Sequence, residues 1–159
     1  MNRAVFLDRD GVITQEPPHY AHRLDQLALI PKSGDAIRLL NEDGFMVVIV
    51  SNQAGIAYGY YQEEDTVSFN QALGGKLTEA GARIDAVYYC PHHPEANVEG
   101  YRLNCDCRKP KPGLLLKAEK ELDINLKRSF MVGDKLSDIE AGKRAGCKTV
   151  LVKTGYGGE

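Results

Sequence analysis

Cys90-Pro-His92-His93 and Cys105-Asp-Cys107 offer sulfur and nitrogen donors in two close pairs, joined by a loop of twelve residues. Zinc takes four such ligands in a tetrahedron, so Cys90, His92, Cys105 and Cys107 are read as a structural zinc site. Neither pair has the two or more intervening residues of a zinc finger. Free thiols or a disulfide are the competing readings, and one intervening residue makes a Cys105–Cys107 bridge strained. His93 is the substitute ligand beside His92.

A second chemical group is acidic. Asp8-Arg9-Asp10 follows the first apolar run, and Gly11 permits an immediate turn that would let both carboxylates face one site. One carboxylate could attack an electrophile while the other moves a proton. Asp134, after a later apolar run, would bring a third oxygen donor, and such a set suits Mg²⁺ completed by water. The plainer alternative is a pair of ordinary loop acids. Ser51-Asn52 could donate to a phosphoryl oxygen, although Ser-Asn-Gln is also good turn chemistry. Arg108-Lys109 follows a zinc ligand directly, so a metal-stiffened loop would present two cations as an anion clamp rather than as a solvated basic run.

The elements needed to position these groups are visible as alternating patterns. Ala4–Leu7, Met46–Val50, Ala86–Tyr89, Ser129–Val132 and Thr149–Val152 read as strands. Helical patterns cover 34–42, 62–79, 112–122 and 137–145, with Gly74-Gly75 weakening the second. Continuous Val/Ile runs separated by helices imply an α/β fold: a Rossmann-like parallel sheet with helices on both faces. Ligands gather at the carboxyl ends of such strands, where the polar motifs lie. The stretches 14–29 and 91–112 are expected to be irregular and to border the site. No interval has room for a large cap domain, so the zinc loop of residues 90–107 must form much of the substrate wall.

The 159 residues fit a single domain, 1–159, and a net charge of −2 with no basic stripe disfavours nucleic acid as a partner. No apolar stretch approaches a membrane span, and Met1-Asn-Arg runs straight into a strand without a leader's apolar segment. A cytoplasmic monomer acting on a small molecule is expected. Cys147, the cysteine outside the zinc set, reads as core packing.

Asp8-Arg-Asp10-Gly11, Ser51-Asn52, Lys109, and Gly133-Asp134 with Asp138 match in order the four motifs of the haloacid-dehalogenase (HAD) superfamily, which the chain resembles over its whole length. Ser51-Asn-Gln-Ala-Gly-Ile56, Tyr88-Tyr-Cys-Pro-His-His-Pro94, Cys105-Asp-Cys-Arg-Lys-Pro110 and Met131-Val-Gly-Asp-Lys135 are similar to its zinc-loop phosphatases of small phosphorylated metabolites. The resemblance implies an aspartyl-phosphate on Asp8 and proton transfer by Asp10. It implies a catalytic Mg²⁺ held by Asp8, Asp134 and the Asp10 carbonyl, and Ser51 and Lys109 on the transferring phosphoryl group. Arg9, Glu16, His19, Tyr20, Asn52, Gln53, Ala54, Arg108 and Lys135 fall at substrate-binding positions, and Asp138 is expected to orient the Lys135 region. The implied substrate is a heptose 1,7-bisphosphate losing its 7-phosphate. Histidinol phosphate or another small sugar phosphate is the alternative, and a catalytically silent zinc-stabilised binding module is the non-enzymatic one. The family commonly has Arg where this chain has Tyr58, and its members often continue beyond the position of Glu159.

Overall fold

The computed structural model describes residues 1–158. Five strands, β1 (Ala4–Leu7), β2 (Met46–Asn52), β3 (Ala86–Cys90), β4 (Phe130–Gly133) and β5 (Lys148–Leu151), form one sheet in the order β3-β2-β1-β4-β5. Every pairing is parallel. Between them run α1 (Ser33–Glu42), the single-turn α2 (Ala54–Ala57), α3 (Glu63–Glu79), α4 (Gly113–Leu122) and α5 (Leu136–Ala145).

The twofold alternation of side chains along a strand separates two cores. Ala4, Phe6, Val48, Val50 and Met131 face Leu114, Leu115, Ala118 and Ala141 on α4 and α5. Val5, Leu7, Val47 and Ile49 face Ile37 on α1 and Phe69, Leu73 and Leu77 on α3. A strand buried on both faces has no polar alternation, which is why β1 reads as a continuous apolar run.

Gly74-Gly75 does not interrupt α3. Phe69, Leu73 and Leu77 recur every four residues and are fully buried. Burying each contributes about 1.5–3 kcal/mol, against a cost of about 1 kcal/mol for each glycine. Asp65 also closes a capping box by accepting from the Gln62 amide at 2.8 Å. Residues 54–57, for which the sequence pattern indicated no helix, form α2, whose four residues are all buried.

The strand order reverses between β1 and β4, and the crevice at the carboxyl ends of these two strands is the topological switch point. The Asp8 amide donates to the Val132 carbonyl at 3.1 Å, which places Asp8 beside Asp134 there.

Candidate active site

Lys109 sits at the centre of the crevice with 3% of its surface exposed. Its ammonium donates to Asp8 Oδ1 at 3.0 Å, Asp138 Oδ1 at 2.6 Å and the Val50 carbonyl at 2.8 Å. Burial by itself would lower this lysine's pKa, but Asp8 and Asp138 outweigh it and hold the group charged. Asn52 grips the Lys109 backbone twice, accepting from its amide at 3.0 Å and donating to its carbonyl at 3.1 Å.

Asp138 caps α5 through its other oxygen, which accepts from the Lys135 amide at 3.2 Å. Both oxygens are therefore engaged. Ligand atoms of Asp8, Asp134 and Asp138 lie within 4.8 Å of one another, but Asp138 serves as the ion-pair partner of Lys109 rather than as a free donor. Asp134 differs: Oδ2 accepts from the Tyr156 amide at 3.0 Å, whereas Oδ1 is buried without a partner. Burial raises the pKa of both Asp8 and Asp134. Glu16 is pushed up to about 7, first by burial, with Asp10, Asp134 and Asp8 adding to the shift and Lys135 opposing it. An orphaned carboxylate oxygen among acids that resist ionising is a site short of positive charge, and the oxygen donors suit a hard divalent cation.

The Asp10 carboxylate is gripped from behind. Arg9 reaches it through Nε and Nη2, both at 2.9 Å, and Thr14 donates to it at 2.8 Å. Three amides donate to the Arg9 carbonyl, and none of them to that of Asp10. The turn that arranges this requires Gly11: its φ is +88°, and a Cβ there would overlap Asp134 Oδ2.

These groups floor a cleft of about 470 Å³ whose walls include Glu16, Pro17, Pro18, His19, Tyr20, Asn52, Lys135, Ser137 and Tyr156. Lys135 stands 3.8 Å from Glu16 and over the Tyr156 ring. Ser51 is buried at the end of β2, where its hydroxyl oxygen accepts from Gln53 Nε2, leaving its O–H free to donate.

Cys90, His92, Cys105 and Cys107 converge beside this cleft. Their sulfur–sulfur separations run from 3.0 to 3.5 Å, and His92 Nδ1 lies 3.3 Å from Cys107 Sγ and 3.7 Å from Cys90 Sγ. A zinc–sulfur bond of about 2.3 Å gives a tetrahedral edge of about 3.8 Å, so the donor set fits one zinc ion with a small expansion. The loop was expected to form much of the substrate wall, but none of residues 90–107 lines the cleft. It packs instead against α2 and its flanks, where the Cys90 carbonyl accepts from the Gln53 amide, the Val98 amide donates to the Ala57 carbonyl, and Asn97 Nδ2 donates to the Tyr58 carbonyl. His93 is turned away from the cluster. Its Nδ1 accepts from the Glu95 amide and its Nε2 meets the Tyr58 hydroxyl at 3.3 Å.

The HAD-hydrolase-like family model matches residues 106–159. A D-glycero-beta-D-manno-heptose-1,7-bisphosphate 7-phosphatase from Pasteurella multocida is 48% identical over 156 residues, covering 98% of this chain and 84% of the relative. The chain belongs to the HAD-like hydrolases. The phosphatase of the same name from Escherichia coli K12 is 44% identical, with 96% and 80% covered. Among solved structures, a D,D-heptose 1,7-bisphosphate phosphatase from B. bronchiseptica, complexed with magnesium and phosphate, is 33% identical with a TM-score of 0.87, covering 98% of this chain and 83% of its own. A putative HAD-like phosphatase from Mesorhizobium loti reaches 38% identity and a TM-score of 0.91, with 96% and 73% covered.

Within this HAD-like hydrolase the cleft brings together Asp8, Asp10, Glu16, His19, Tyr20, Asn52, Lys109 and Lys135. Four expected substrate-binding side chains do not line it. Arg9 is 0% exposed, packs over the Phe69 ring, and spends its donors on Asp10, Asn70 and the Ala21 carbonyl. Gln53 is buried between Ser51 and the Tyr61 hydroxyl, and Ala54 is buried at the start of α2. Arg108 lines a neighbouring hollow of about 130 Å³ with Leu103, Pro110 and Arg144, and its Nη1 is buried without a partner. Asp138 was expected to orient Lys135; it does cap that residue, and it also pins Lys109. Thr14 and Tyr156 carried no signal in the sequence, because each acts on an aspartate through a single contact that only folding creates.

Proposed function

We propose that this chain is a Mg²⁺-dependent phosphatase that removes the 7-phosphate of D-glycero-D-manno-heptose 1,7-bisphosphate through an aspartyl-phosphate on Asp8. One observation carries the reading: Asp8, Lys109 and Asp138 form a buried ion-paired unit next to the orphaned Asp134 oxygen, at the switch point of the sheet. The relatives named for this reaction, on the β-anomer, support the choice of substrate.

An Asp8 carboxylate oxygen attacks the phosphorus as the bond from phosphorus to the sugar oxygen breaks. Asp10 passes a proton to that oxygen. It then takes a proton from the water that attacks the aspartyl-phosphate, and inorganic phosphate leaves with Asp8 restored. Lys109 and the free Ser51 O–H hold the phosphoryl oxygens through both steps. Asp8, the Asp10 carbonyl and Asp134 Oδ1 would hold Mg²⁺, which supplies charge neutralisation on the transferring group. Cys90, His92, Cys105 and Cys107 would hold zinc in a closed shell with no position for an activated water, so its part is to fix the loop that precedes Lys109. Thiols kept free for a metal suit a reducing, cytoplasmic setting.

Phosphate release with and without Mg²⁺ tests this, using a panel of the heptose bisphosphate, fructose 1,6-bisphosphate and histidinol phosphate. The expected result is Mg²⁺-dependent turnover that prefers the heptose. A preference for histidinol phosphate would move the assignment to that substrate, and no release from any ester would leave a binding module.

A further inference from the structure

Beyond β5 the chain returns to the cleft at a place the reaction does not itself require. The Tyr156 amide donates to Asp134 Oδ2 at 3.0 Å, and the Thr154 hydroxyl donates to the Gly11 carbonyl at 2.7 Å. Between them Gly155 holds a φ of +55°; a Cβ there would overlap Asp134 Oδ2 and stand 2.7 Å from Gly11 Cα. A Cβ on Gly11 would overlap the same Oδ2 atom. Two glycine backbones thus close on Asp134, and one amide takes its outer oxygen.

We infer that Thr154–Gly155–Tyr156 is a strap that positions Asp134 and thereby sets the affinity of the site for a divalent cation. A carboxylate turns readily about its Cβ–Cγ bond. With Oδ2 tethered to the strap, Oδ1 is left buried and unpartnered, in a carboxylate that lies within reach of Asp8. The strap is itself fixed at both ends. The Val152 amide donates to the Gly133 carbonyl at 2.9 Å, and the Gly157 amide closes a turn onto the Thr154 carbonyl at 3.0 Å. Thr154 is tied to Gly11, so it also braces the turn that carries Asp10. These are positioning residues: none touches the reacting atoms through its own hydrogen bond.

The inference rests on the reading of Asp134 as a ligand for Mg²⁺, and the test separates the two. Mn²⁺ binding to the zinc-loaded full chain is followed by the paramagnetic resonance of the free ion and reversed with Mg²⁺, in the absence of substrate. Gly155→Ala pushes on Asp134 and strains the backbone, and should weaken binding about tenfold, the equivalent of one hydrogen bond to a charged group. Thr154→Val keeps the shape and removes only the bond to Gly11; it serves where Gly155→Ala fails to fold, and should weaken binding severalfold. Lys153→Ala, on the exposed neighbour, should leave binding unchanged. If Asp134→Asn abolishes Mn²⁺ binding while a folded Gly155→Ala or Thr154→Val binds as the parent does, the strap is not a positioning device, though Asp134 remains a ligand. If the parent chain holds no Mn²⁺ that Mg²⁺ displaces, or Asp134→Asn binds normally, the ligand reading fails and the strap proposal falls with it.

Discussion

Replacing Lys109 with methionine keeps the length of the side chain and removes its charge. The structure indicates what that does. Asp8 and Asp138 accept from the same ammonium, at 3.0 and 2.6 Å, and are almost wholly buried. Without the cation they face each other as uncompensated like charges, and the Val50 carbonyl loses its donor. Removing one partner of a buried ion pair costs about 3–5 kcal/mol, which in a domain of this size lowers the melting temperature by about 6–20 °C. The loss should depend on pH. With Lys109 gone, Asp8 loses the cation that opposes the effect of its burial, and its folded-state pKa moves further above its unfolded value. The native state then binds protons that the unfolded state does not, and stability falls as pH rises through that interval. Urea unfolding of Lys109→Met should therefore show nearly the full penalty at pH 8, a smaller one near pH 5, and partial rescue by Mg²⁺ at pH 8. Turnover, which also loses a donor to the phosphoryl group, should fall about 10²–10³-fold. A variant within 1 kcal/mol of the parent at pH 8, or within tenfold in kcat, would refute this account of Lys109.

Two further outcomes follow from the metal sites. Cys107→Ser should lose zinc and weaken both substrate binding and turnover while the sheet stays folded, because the loop braces Ala57 and Tyr58 and leads directly into Lys109; elemental analysis with steady-state kinetics checks this, and wild-type kinetics in a zinc-free variant would detach the loop from the site. In Mg²⁺-free protein, burial holds Glu16 at about 7, well above its ordinary 4.5, so the folded state keeps a proton the unfolded state has lost. Thermal stability should fall as pH rises from about 4.5 to 7 and level off above, and saturating Mg²⁺ should flatten the curve.

The sheet was legible because its central strands are buried on both faces: apolar runs such as Ala4–Leu7 and Met46–Val50 end abruptly in polar residues, and that junction marks the carboxyl edge. The convergence of Cys90, His92, Cys105 and Cys107 was legible because close pairs of soft donors have few other uses. Arg9, which the resemblance put at a substrate-binding position, lies outside the cleft because the turn at Gly11 sends its side chain inward onto Phe69 and Asp10. Gln53 and Ala54, which the resemblance also put at substrate-binding positions, are buried where the chain enters the helical turn α2. The Thr154–Tyr156 strap had no sequence signal at all. Its partners, Gly11 and Asp134, are distant along the chain, and a backbone amide can come from any residue other than proline.

The central claim is that Asp8 takes the phosphoryl group from the substrate. The direct measurement is an acid quench of the zinc-loaded enzyme during turnover of the heptose bisphosphate with Mg²⁺, followed by mass spectrometry of the peptide containing Asp8. A phosphorylated Asp8 is expected in the parent chain. It should be absent from Asp8→Asn, whose phosphate release should fall by several orders of magnitude, and more abundant in Asp10→Asn, where the intermediate lacks the base that activates water. Phosphate release by Asp8→Asn near the parent rate would contradict the account.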